Sequence, residues 1–487
     1  MENATIKTTM KDLIRFIILL LLIAFPLFYH LGAAPLFEWD ESRLAVNALE
    51  MYRAKTVGLV TTFGEQPDMW NTKPPLLIWI QALSFKTIGV NELALRLPSA
   101  LAAFVLCMVV YWFFAKRLQM PMLGFITCMV LVTAKGYVMI HGTRTGDYDS
   151  LLTLLTTVYC SYFFEYLQNP EKLWYLYLSF LFIALAMLTK GIAGFFFVPA
   201  LGIYVLIKRH WFILGSKHLY LGMLLLIVAV ASYYMLREHY SPGYLHAVWE
   251  NELGGRYGEV NEQHKGKFLF YFKRIMVEQF SYWVIPMITG IALGLLSKNN
   301  RLKMISLFGV LLSATFILIL SLSKTKLTWY IMPAYPWFAF FAGLFIYKIY
   351  VEIGDRWKQP GVSILFLILV FILPYINIMS SVTEVEPAIE NIETRNMCYF
   401  LKDAKEGKQD IGGYKIIWNR FYGNMHWYMT TYNYGSGTET MLAEKLKPGD
   451  IAAVSFTNTK EEVLKNFTAD VIRSYNGVTI YKIKGYR

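Results

Sequence analysis

Three charged segments stand where an apolar chain has little use for charge. The first, Phe37-Glu38-Trp39-Asp40-Glu41-Ser42-Arg43, puts three carboxylates and an arginine directly after the first apolar run. A carboxylate in such a place can take a proton from an attacking hydroxyl, and a nearby cation can steady a phosphate leaving group. The plainer alternative is an interfacial anchor with Trp39 in the aromatic belt. The second, Trp70-Asn71-Thr72-Lys73-Pro74-Pro75, aims a lysine from an elbow that two prolines keep extended or turned. In the third, residues 141–150 (HGTRTGDYDS), Arg144, Asp147 and Asp149 crowd the start of a helix, where Asp149 or Ser150 can equally act as a cap.

Lysines at membrane depth add to these. Lys190 interrupts an apolar stretch over 173–206, and an ionisable residue there is a functional candidate unless it snorkels to the interface. The turn 323–333 (SKTKLTWYIMP) carries Lys324 and Lys326 on the side of the membrane where basic residues are not expected. A phosphate is the natural partner for such a surplus.

These residues must be positioned by a membrane protein. The chain has 487 residues, 56% hydrophobic and only 16% charged, too apolar for a soluble protein of this length. Its charge of +12 is dispersed in small clusters beside apolar runs, a pattern of membrane topology that argues against nucleic acid. Cys107, Cys128, Cys160 and Cys398 are too far apart to suggest a metal motif or a disulfide framework. The first apolar run, 13–31, is long enough for a retained helix rather than a signal peptide.

Apolar stretches near the roughly 18-residue spanning threshold begin around Leu13, Leu93, Met120, Asp149, Leu173, Gly191, Leu219, Val277, Leu302, Thr328 and Val362. With a cytoplasmic N-terminus, Lys116-Arg117, Lys172, Lys208-Arg209, Lys298 to Lys303 and Arg356 to Lys358 all fall on the cytoplasmic side. The three charged segments fall opposite. The expected organisation is a transmembrane domain over 1–380, with external loops at 32–92 and 238–276, then a soluble α/β domain over 381–487. Residues 42–54 and 76–85 read as amphipathic helices along the interface. The strands expected in the last region lie at 415–418, 451–456 and 478–483. No internal repeat is visible, which speaks against transporters built from inverted repeats. The Asn466-Phe467-Thr468 sequon is too short a pattern to carry a function.

In order along 13–336, DE-x-R (from Asp40), KPP (from Lys73), R-x4-D-x-L-L-T (from Arg144), L-T-K-G (around Lys190) and K-x-K-L-x-x-Y-I-x-P (from Lys324) resemble the aminoarabinose transferase and protein O-mannosyltransferase group of GT-C glycosyltransferases. The resemblance implies a polytopic, membrane all-α GT-C bundle of about 11 to 13 helices. It further implies transfer of a sugar from a polyprenyl-phosphate donor to an extracytoplasmic lipid, glycan or protein, at the outer face of a bacterial inner membrane. By motif position Asp40 is the principal catalytic carboxylate, with Glu41 beside it and Asp149 as a second acid that Asp147 rivals. Arg43, Lys73, Arg144, Lys190, Lys324, Lys326 and Tyr330 would surround the donor phosphate.

The segment 249–268 resembles the family's external loop and adds Arg256 and His264, which a solvated loop would explain equally well. Some relatives carry a glutamate before the KP lysine that joins a histidine in holding a divalent cation. Thr72 stands there in this chain, so His264 is the one remaining candidate ligand and no cofactor is assigned. Two other classes compete: a lipid-linked-glycan transporter or flippase, and a polysaccharide polymerase or ligase. The gathering of acids and bases on one side, rather than along a path through the bilayer, favours the transferase.

Overall fold

The computed structural model describes residues 10–54, 58–139, 141–258, 264–383, 392–421, 423–432 and 437–487. The chain forms two compact units. One consists of Met1–Tyr29, Met69–Leu77 and Leu97–Glu384, the other of His30–Asp68, Ile78–Arg96 and Val385–Arg487. Most of the external loop 32–92, expected within the transmembrane domain, thus shares a unit with the C-terminal region.

The first unit is a helical bundle. Among the described residues, six helices are long and apolar enough to span a bilayer: Glu92–Arg117, Leu173–Phe195, Lys217–Tyr240, Asn300–Leu322, Thr328–Trp357 and Pro360–Thr383. The pair Phe270–Gln279 and Ser281–Leu295, bent by 97°, makes a seventh if counted as one broken span. These helices mark an integral membrane protein. Of the other expected spans, those near Met120 and Gly191 fall on the short helices Pro121–Val132 and Val198–Ile207. Met10–Phe28 carries Lys11, Asp12 and Arg15.

Asp149–Gln168 is too polar to pass as a span, and packing explains why it can be. It is buried along most of its length. Two of its threonines satisfy their hydroxyls internally, Thr153 donating to the Asp149 carbonyl at 2.6 Å and Thr156 to Leu152 at 2.8 Å. A helix covered by protein needs no apolar coat. Lys217–Tyr240 and Pro360–Thr383, by contrast, leave most of their apolar side chains uncovered, as lipid-facing helices do.

The second unit contains a five-stranded sheet in the spatial order Glu439–Met441, Tyr414–Ile417, Ile451–Val454, Val478–Tyr486, Phe467–Tyr475. The first two pairings are parallel and the last two antiparallel. Ile417, Leu446, Val454, Val463, Phe467, Tyr481 and Ile483 form its core. The three expected strands are present; Glu439–Met441 and Phe467–Tyr475 are additional, the latter exposed along most of its length and weakly patterned.

Helix Asp40–Arg53, expected from its amphipathic spacing along an interface, uses that spacing to pack inside the unit. It buries Leu44, Val46, Leu49 and Met51 within the unit, covered by helix Gly423–Thr431. The two approach so closely that a Cβ at Gly423 would sit 2.6 Å from the Ser42 hydroxyl. Glycine is required there.

Candidate active site

In the second unit, Asp40 opens its helix and the backbone just before it is constrained. Trp39 has φ of 67°, a left-handed conformation rare outside glycine, and its exposed indole stacks on Phe421 at 4.6 Å. Arg96 fixes the approach to Asp40. Its guanidinium donates to the carbonyls of Leu31, Ala34 and Pro35 at 2.8–3.0 Å and to both oxygens of Glu41 at 2.7 and 2.8 Å. Glu41 also accepts from the Phe37 amide at 2.8 Å. Both side chains are only 1% exposed. Glu41, expected among the catalytic acids, therefore sits in a buried knot that holds residues 31–41 in shape. Arg43 is clamped by Asp68 through two bonds of 2.8 and 2.9 Å, and Asn47 donates to the same carboxylate at 3.0 Å.

In the first unit, Lys73, Asp149, Lys190, Glu252 and Tyr330 line one cavity of about 580 Å3, counting its open mouth. Leu152, Phe196, Phe316 and Leu320 form apolar walls. Lys190 ends helix Leu173–Lys190, and Gly191 at φ 55° lets the chain turn sharply after it. The Lys190 ammonium donates to both oxygens of Asp149, at 2.6 and 2.7 Å, and lies 4.9 Å from the Tyr330 ring centre. Lys73 pairs with Glu252 at 3.2 Å, which also accepts from the Thr72 hydroxyl at 3.3 Å. The elbow is braced beneath: Tyr244 donates to the Thr72 carbonyl at 2.6 Å, and Asn71 exchanges hydrogen bonds with the Tyr148 hydroxyl.

Asp147 is turned away from Lys190 towards His141, whose Nδ1 is 2.6 Å from its carboxylate. His141 adopts a left-handed φ of 57° and stacks on Trp329 at 3.7 Å. Burial resists ionisation of Asp147, but the hydrogen bond and charge of His141, the charge of Lys190 and the Tyr148 amide outweigh it and hold the pKa at about 2. The group stays ionised at every working pH.

Two cations expected around a phosphate are engaged elsewhere. Arg144 donates to the carbonyls of Pro26, Leu27 and Tyr29, closing the C-terminal end of helix Met10–Phe28. Buried Lys326 donates to the carbonyls of Leu320, Ser321 and Ser323, closing helix Asn300–Leu322. The last carbonyls of any helix lack partners, and a cation just beyond is a common remedy. Lys324 is exposed beside them. The side chain of Arg256 lies outside the described residues. His264 is exposed.

Glu252, His141, Trp329, Arg96 and Asp68 did not stand out in the sequence. Arg96 alone carried a signal, an arginine inside an apolar run, which usually has a purpose.

The family model described as dolichyl-phosphate-mannose-protein mannosyltransferase matches residues 72–235. A protein of Aquifex aeolicus (strain VF5) is 26% identical over 370 residues, 74% of this chain and 68% of its own length. The undecaprenyl phosphate-alpha-4-amino-4-deoxy-L-arabinose arabinosyl transferase of Aeromonas salmonicida (strain A449) is 26% identical over 325 residues, 64% of this chain. The match spans 56% of that transferase. Among solved structures, ArnT from Cupriavidus metallidurans bound to undecaprenyl phosphate superposes with a TM-score of 0.71 at 14% identity, covering 96% of this chain and 97% of that one. At that identity the likeness is one of fold. In sequence and fold the chain is similar to these proteins.

Proposed function

We propose that the protein moves a hexosyl or pentosyl group from a polyprenyl-phosphate donor to an extracytoplasmic lipid A, glycan or protein acceptor, at the periplasmic face of a bacterial inner membrane. The observation that carries this reading is the cavity of the first unit. Lys73 and Lys190 offer two ammonium groups, while Phe196, Phe316 and Leu320 offer an apolar wall beside them. That is the composition of a polyprenyl phosphate, one anionic end on a hydrocarbon chain.

Each lysine also keeps donors in reserve. A lysine has three N–H bonds, and among the described residues Lys190 directs its hydrogen bonds to Asp149 alone while Lys73 pairs with Glu252 alone. In the transfer the acceptor oxygen forms the new bond to the anomeric carbon as the bond to the phosphate oxygen breaks. The electron pair stays on the phosphate, where Lys73, Lys190 and Tyr330 would stabilise it. Asp40 would receive the proton of the acceptor, and a single in-line displacement would invert the anomeric centre. His141, stacked on Trp329, would hold Asp147 in place.

In proteoliposomes supplied with a labelled polyprenyl-phosphate sugar, Asp40→Asn should lower product formation by about 10²- to 10⁴-fold. Donor binding should change by no more than a few-fold. Movement of the labelled lipid across the bilayer without any glycosidic product would instead establish the transporter. Undiminished transfer by the Asp40→Asn protein would remove Asp40 from its role.

A further inference from the structure

The cavity holds two carboxylates as well as two ammonium groups, and the pairs are not alike. Asp149 grips Lys190 with both oxygens and is 1% exposed, so neither group has room to change partner. Glu252 meets Lys73 through one oxygen at 3.2 Å, and the two side chains are 13% and 15% exposed. The formal charges of Lys73, Lys190, Asp149 and Glu252 cancel.

A site that only needed to attract phosphate would gain by omitting Glu252. From the proposed donor, we infer that Glu252 is a specificity-determining residue: an internal anion that favours the phosphodiester donor over the phosphomonoester left after transfer. The diester carries one negative charge. When the bond to the sugar breaks, the retained electron pair gives the phosphate a second ionisable oxygen, with a pKa near 6, so the product carries close to two charges above neutrality. Glu252 shares Lys73 with that phosphate. One anion can displace it from the ammonium, whereas the second charge on the product faces a carboxylate a few ångströms away in a half-apolar cavity, where repulsion is weakly screened. The spent carrier is thereby expelled and the loaded one kept.

The test compares a polyprenyl phosphate with its methyl phosphodiester as ligands of the full-length protein in nanodiscs. Wild type should bind the diester more tightly at about pH 8, and the gap should narrow near pH 5, where the monoester holds its second proton. In Glu252→Gln the monoester should tighten about ten-fold at the higher pH, and the diester by less than about three-fold. Product inhibition should rise in parallel. Glu252→Asp should restore the wild-type preference, which separates the effect of charge from any loosening of the elbow at Thr72. An equal change for both ligands in Glu252→Gln, or an unaltered preference, would overturn this inference alone. Failure of either ligand to bind wild type would overturn the donor assignment, and the role of Glu252 with it.

Discussion

Each unit of the molecule contains a buried carboxylate held by a cation, and the two differ in what is left over. In the Arg96–Glu41 knot the guanidinium reaches three carbonyls and both carboxylate oxygens, so nothing remains for a ligand. In the Lys190–Asp149 pair the ammonium has a single hydrogen-bond partner among the described residues, with the Tyr330 ring 4.9 Å away, and it lines a cavity with apolar walls. Charge, burial and distance are similar in the two places. The difference is saturation: a cation whose donors are all used builds structure, and one with donors in reserve beside a cavity can bind.

The most severe way to probe this contrast is Arg96→Met. It strands Glu41 in a 1% exposed position and frees three carbonyls. Breaking one side of a buried pair costs about 3–5 kcal/mol. The measured melting temperature should fall by several degrees or the protein should fail to accumulate, and activity should drop in proportion to folded protein. A stable Arg96→Met protein would break the distinction.

Lys73→Met tests the opposite member. The lysine is 15% exposed and lines the cavity with Glu252 beside it, less buried than the Arg96–Glu41 pair, so folding should change less than in Arg96→Met. The KM for a polyprenyl-phosphate donor should rise about 10- to 100-fold, equivalent to about 1.4–2.7 kcal/mol of lost phosphate binding. A variant with unaltered KM would remove Lys73 from the donor site.

How far the sequence could reach follows the same line. Lys73, Asp149, Lys190 and Tyr330 were legible because each stands in a short motif that breaks an apolar pattern, and they line one cavity. Glu252 was not, because it lies in a polar loop where a glutamate needs no explanation, and only the folded chain brings it to Lys73. Arg144 and Lys326 looked like phosphate ligands for an equally physical reason. A cation placed just past an apolar run reads the same whether it answers a ligand or the open carbonyls of the helix it follows, and the exact helix end decides. The helical bundle was readable from hydropathy, Asp149–Gln168 included, although that helix is less apolar than the others because its burial lets it carry Asp149, Glu165 and several threonines. The two extra strands carry too weak an alternation to be seen.

Asp147 offers a pH test of the unit that holds the cavity. Its pKa lies at about 2 when folded, against an ordinary value of 3.8, chiefly because His141 and Lys190 outweigh the cost of burial. A lowered carboxylate pKa contributes stability that is fully present above the unfolded value and fades as pH falls through the folded one. The window is therefore between about pH 4 and pH 2. Denaturant melts of the wild type should weaken across that window, and Asp147→Asn should flatten the dependence while lowering stability above it. An identical acid limb in both proteins would show that the pair with His141 adds no ionic stabilisation.

The smallest effect is expected at Lys324, and it sharpens the rule at its limit. This lysine is exposed, next to the saturated Lys326, and belongs to neither kind of pair. An exposed charge is screened within about 10 Å at 0.1 M salt, so its value to an anionic donor lies in capture rather than in grip. Lys324→Ala should raise the KM for donor by about two- to three-fold at low ionic strength and hardly at all in 0.5 M salt, with kcat unchanged. If the effect persisted at high salt, the ammonium would have to reach the bound phosphate directly, and the boundary between donors in reserve at the cavity and charge at the surface would need to move outward to include it.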